Sequence, residues 1–79
     1  MQIGDEYVCL KNDGWTYEDK LILNKVYSVY TITESAPYPI KLYGTFLSGN
    51  RKKEGLCVFK QKEIDKYFKR VVVWTLVIR

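Results

Sequence analysis

The chain has 79 residues, 47% of them hydrophobic and 15% aromatic, with thirteen basic and nine acidic side chains, two cysteines, five glycines and no histidine. This length leaves room for one core and no second domain, so residues 1–79 read as a single domain, and the apolar fraction excludes disorder. Without histidine the commonest general base and metal ligand is missing, two cysteines alone do not complete a zinc shell, and the glycines never cluster into a phosphate-cradling loop, so the expectation is a non-enzyme with no cofactor or metal.

In chain order, residues 6–11 read as a first strand with Val8 and Leu10 inward and Tyr7 and Cys9 on the opposite face, ended by the turn residues Asn12-Asp13-Gly14. Trp15–Asn24 mixes Trp15, Tyr17, Leu21 and Leu23 with charged residues and reads as an ordered loop folded over the core. Asn24 stands where the chain must reverse, and Asn accepts the left-handed backbone region better than most residues. Residues 25–33 and 38–46 are rich in β-branched and aromatic types and form a hairpin around Glu34–Pro37, with Tyr27 and Val29 sharing a face. Ile32 joins that face only if a bulge intervenes near Tyr30–Thr31.

Thr45–Glu54 reads as an exposed loop, since Ser48-Gly49-Asn50 is a turn signal and Arg51–Glu54 is too charged for burial. A strand over Gly55–Lys60 follows. Ile64, Tyr67 and Phe68 fall at i, i+3 and i+4, one face of a short helical or 3₁₀ turn near residues 61–68, and Asp65 is spaced to pair with Lys69. Arg70–Trp74 is the fifth strand, and Val71–Ile78 is apolar on both strand faces. Tyr27, Val29, Leu42 and Val58 are the expected core, and Cys9 and Cys57, each inside an apolar run, are expected as reduced thiols.

Four stretches carry a resemblance: Gly4-Asp-Glu-Tyr-Val-Cys-Leu, Leu23-Asn-Lys-Val-Tyr-Ser-Val, Tyr38-Pro-Ile-Lys-Leu, and Gly55-Leu-Cys-Val-Phe followed by an acidic-aromatic turn. From about Gly4 to Val71 the chain resembles small SH3-like β-barrel proteins of bacteriophages and prophages. It departs at Asn24, where glycine is usual, in the insertion Thr45–Glu54, and in the tail Val72–Ile78. The resemblance implies an all-β, five-stranded, partly open SH3-like barrel and a phage accessory setting. It carries no functional residue, because that family is largely without assigned activity.

Function is therefore argued from surfaces. The acidic start and the lack of an apolar leader, or of the roughly 20 apolar residues of a spanning helix, lead to an expectation of a cytoplasmic protein with no membrane partner, in the host cytoplasm if phage-encoded. The first reading is a protein-interaction module that docks on a host or phage protein through Trp15, Tyr17, Tyr43, Trp74, Leu76 and Ile78. In that reading the C-terminal strand pairs with a partner or with a second copy as a homodimer. The alternative is weak, sequence-tolerant nucleic-acid binding, with Arg51, Lys52 and Lys53 tracking phosphates beside neighbouring aromatics. The charge asymmetry permits it: residues 1–40 hold three cations against six acids, and residues 41–79 ten against three.

Overall fold

The computed structural model describes residues 1–15 and 19–72. Its elements are β1 (Glu6–Cys9), β2 (Asp19–Leu21), β3 (Val26–Ile32), β4 (Ile40–Ser48), β5 (Arg51–Phe59), helix α1 (Gln61–Tyr67) and β6 (Phe68–Arg70). All pairings are antiparallel, and the described strands form one sheet that is not closed into a barrel. The protein is all-β apart from one short helix, as the β-rich composition predicts.

Strand β4 is the axis. One of its edges pairs with β5 at every residue, from Ile40↔Phe59 to Ser48↔Arg51. Its other edge is shared end to end: β3 pairs with Ile40–Tyr43 and β2 with Phe46–Ser48. Beyond β3 the sheet continues through β1 to β6, and the Val71 N–H donates to the Glu6 carbonyl at 2.9 Å just past the end of β6.

The bulge inferred from the alternation is present, since the β3–β4 register shifts between Val29 and Thr31, leaving Tyr30 as the extra residue and bringing Ile32 against the core. Asn24 has φ 66°, in the left-handed region expected of it. Helix α1 buries Ile64 and Tyr67, and Phe68 just beyond it is buried too, as their spacing predicts. The Glu63 carboxylate accepts the Lys60 backbone N–H at 2.8 Å, so an otherwise orphaned donor at the helix start is satisfied. The expected Asp65–Lys69 pair is replaced by a 3.0 Å bond from Gln61 Nε2 to Asp65 Oδ1, because the helix ends before Lys69, which lies on β6.

Several expectations are corrected. Thr45–Glu54 is no loop: it is the far half of the β4–β5 hairpin, closed by Gly49-Asn50. Gly49 takes φ 61° and Asn50 has no positive φ, the combination that turns a two-residue hairpin with glycine first. The charges of Arg51–Glu54 forbid burial, not strand, and here both faces of β5 are exposed. Strand β1 is inverted, because Tyr7 lies opposite the inward Tyr27, so Tyr7 and Cys9 are buried and Leu10 is exposed. The same logic turns Val58 outward, at 46% exposure, and Phe59 inward, since Phe59 is opposite the buried Ile40. Within Trp15–Asn24, expected as loop, Asp19–Leu21 forms a sixth strand, β2, because it pairs with the far end of β4. The fifth-strand reading Arg70–Trp74 coincides with the structure only at Arg70: β6 is Phe68–Arg70, Val71 and Val72 lie past its end, and residues 73–79 lie outside the described residues.

One apolar cluster fills one side of the sheet. Trp15, Phe59 and Tyr67 make one aromatic contact group, with Trp15 centroids 5.3 Å from Phe59 and 5.2 Å from Tyr67. Tyr27, Phe46 and Phe68 make another, and Phe59 joins Phe68 edge-on at 5.4 Å.

Candidate interaction surface

Strand alternation decides which side chains of β3, β4 and β5 reach solvent on the side away from the core. Ser28, Tyr43 and Leu56 are cross-strand neighbours, and Lys41 lies opposite Val58. With the core on the other side, this face presents Val26, Tyr43, Leu56 and Val58, all between 43% and 46% exposed, and Tyr30 lifted out by the bulge at 53%. An apolar group of this kind, spread over adjacent strands rather than scattered singly, marks a contact surface more often than plain solvated sheet. Toward the hairpin tip the face becomes more polar, with Thr45 opposite Glu54 and Leu47 opposite Lys52, while Ser28 and Lys41 border the apolar group. The Tyr43 hydroxyl is 3.4 Å from Glu54 Oε2, a long bond on an exposed face.

The expected site residues divide. Tyr43 stands at the centre of this face. Trp15 does not: it is 7% exposed, its indole Nε1 donates to the Asp19 carbonyl at 2.8 Å, and its carbonyl accepts from Lys20 Nζ at 3.2 Å. It is a core ring that ties Asp19 and Lys20 of β2 to Phe59 and α1. Tyr17, Trp74, Leu76 and Ile78 lie outside the described residues.

Arg51, Lys52 and Lys53 are exposed, but as strand residues rather than a loop. Alternation therefore splits them, Lys52 toward the face of Tyr43 and Arg51 and Lys53 toward the other, so they do not form one cationic platform beside the rings. Elsewhere two lysines lie over aromatic rings, Lys60 over Tyr38 and Lys66 over Tyr67, each 5.2 Å from the centroid. The residues that sequence reading missed are Val26, Leu56 and Val58. Their signal is the strand alternation, which leaves open whether Val58 or Phe59 faces the core until Ile40 is paired with Phe59.

Both cysteines are free thiols, Cys9 buried and Cys57 half-buried. Burial pushes both thiols up, and the charge of Asp19 adds to the effect at Cys57, so neither is primed as a nucleophile. Among the described residues no group of three Cys, Asp or Glu side chains is placed to hold a metal ion, and no helix is long and apolar enough to cross a membrane. An open hollow of about 330 Å³ is lined by Met1, Ile32, Glu34, Pro39, Ile40 and Gln61, with Glu34 its one carboxylate.

In comparisons with known proteins, no family model, curated protein or solved structure matches this chain.

Proposed function

We propose that this chain is a non-enzymatic protein-interaction module, a small accessory protein that docks on a larger partner. The observation that carries this reading is the exposed apolar and aromatic face of Val26, Tyr43, Leu56 and Val58 on the side of the sheet away from the core cluster. Rings and aliphatic groups of this kind are enriched at the centres of protein interfaces, and the lysines at the margin suit a polar rim. The finer fold reading belongs with this proposal: strand order β6-β1-β3-β4-β5, with a helical turn just before the last strand, supports an SH3-like, partly open barrel of the phage type. The apolar run Val71–Ile78 is proposed as a second contact element.

The test replaces Tyr43, Leu56 and Val58 by Thr, which keeps β-propensity and removes the apolar surface. Wild type and variant are immobilised and exposed to a bacterial cytosolic extract, with circular dichroism confirming that the variant folds. A protein retained by wild type, lost by the variant and then bound in purified form supports the reading. Equal retention by both overturns it.

A further inference from the structure

Strand β5 is nine residues long, and among the described residues it pairs with β4 alone. Among the described residues its second edge therefore carries no strand. The direction of each backbone group on that edge follows from the turn. In a two-residue hairpin the closing pair, here Ser48↔Arg51, exchanges both backbone hydrogen bonds, and bonded pairs then recur at every second residue. Arg51, Lys53, Gly55, Cys57 and Phe59 thus turn their N–H and C=O toward β4, whereas Lys52, Glu54, Leu56 and Val58 turn theirs away from it. The same four residues carry their side chains on the face of Tyr43, away from the core. The free ladder and the apolar face share one set of residues, so a strand laid along this edge would meet both at once.

Charge decides what such a strand is. Edge strands are commonly protected by lysine, and the first half of β5 has Arg51, Lys52 and Lys53, while Gly55–Phe59 carries no charge. With Lys60 following, the edge has four cations against Glu54. A second copy would bring the same excess to the same edge and be repelled, but an acidic segment would be attracted and steered.

We propose that β5 accepts an extended acidic peptide segment of the partner as an added antiparallel strand, its apolar N-terminal half beside Leu56 and Val58 and its acidic C-terminal half beside Arg51–Lys53. This rests on the interaction-module reading and adds the binding mode and the partner's chemistry.

The probe is a capped peptide of about ten residues, matched to the length of the edge, with Val and Thr alternating in its N-terminal half and Glu and Asp in its C-terminal half. Binding is followed by NMR and by amide hydrogen exchange on the full chain. The expected result is a rise of about tenfold or more in protection of the Lys52, Glu54 and Leu56 amides at saturation. Reversing Arg51, Lys52 and Lys53 to Glu should weaken binding by roughly tenfold or more, and higher salt should weaken it in wild type. Leu56→Pro deletes an outward N–H while leaving the β4 ladder its donors, as proline at an edge permits, and should also weaken binding. Should that variant fail to fold, N-methylating the peptide at its edge-facing amides removes the same ladder from the other side.

Equal binding of a peptide with Lys in place of its acids overturns the proposal, as does failure of the acidic peptide to bind at low salt. Protection of these amides by a second copy, seen as dimer mass in light scattering without peptide, or by a single-stranded oligonucleotide but not the peptide, also overturns it. Shifts of Tyr43, Leu56 and Val58 without amide protection would overturn strand addition while leaving the interaction face standing.

Discussion

The ring of Tyr27 lies flat against Gly44, so close that a Cβ built on that glycine would fall 2.3 Å from Tyr27 Cδ2. The contact follows from register: Ser28 is opposite Tyr43, which puts Tyr27 next to Gly44 across the β3–β4 pair. The glycine is required by this approach and not by its φ. Gly44→Ala should therefore destabilise the fold by about 1–3 kcal/mol through overpacking. Urea denaturation checks it, and a double variant with Tyr27→Leu should lose less than the sum of the two single changes. An unchanged midpoint for Gly44→Ala would show that the ring has room to move.

The hydroxyl of the same tyrosine fills the gap where β3 ends and β2 begins along β4. It donates to the Thr45 carbonyl at 2.6 Å and accepts the Ile22 N–H at 3.0 Å. Tyr27→Phe keeps the ring and leaves both backbone groups without this partner, for an expected loss of about 1–3 kcal/mol. Hydrogen exchange at Ile22 should accelerate more than at amides in the β4–β5 ladder; equal acceleration everywhere would make the effect global rather than local.

At Asn24 the backbone is left-handed and its N–H donates to the Cys9 carbonyl at 2.7 Å. Asn24→Gly should be close to neutral, whereas Asn24→Val should cost about 1–2 kcal/mol, because the branched Cβ clashes in this region. Thermal unfolding of the two variants side by side gives the comparison, and the ranking must hold for the argument to survive.

Alkaline pH should weaken the fold. Burial raises the Cys9 and Cys57 thiols above their ordinary 9.0 and the Tyr27 phenol above its ordinary 10.0. The unfolded chain then gives up protons first, so stability present below pH 9.0 falls as pH rises through the folded values. Denaturant midpoints measured from pH 7.5 to about 10.5 should decline, and Cys57→Ser should reduce the slope. A flat profile would mean that these groups titrate alike in both states. Under native conditions Cys57 should alkylate before Cys9, which is the more deeply buried of the two thiols.

Some of this was open to reading along the chain. The bulge at Tyr30–Thr31 was legible because Tyr27, Val29 and Ile32 cannot share a face at a strict period of two. The helix was legible because Ile64, Tyr67 and Phe68 change the period. Asn24 was legible because few residues other than glycine tolerate its backbone. Each of these is a local rule acting over a few residues.

Tertiary pairing decided the rest. Whether Tyr7 or Val8 faces the core depends on the register against Tyr27, a partner twenty residues away in the chain, and a one-residue shift exchanges the two. Val58 and Phe59 are equally plausible inward residues until Ile40 is placed opposite Phe59. Arg51–Lys53 looked like a loop because charge opposes burial, yet an exposed strand needs only a neighbour for its backbone, and β4 supplies it. Trp15 looked like a surface ring until Phe59 and Tyr67 closed around it. Composition and local spacing determined that this chain makes strands, one helical turn and a ring-rich core; long-range register, which sets the side each residue faces, determined which rings are core and which are surface.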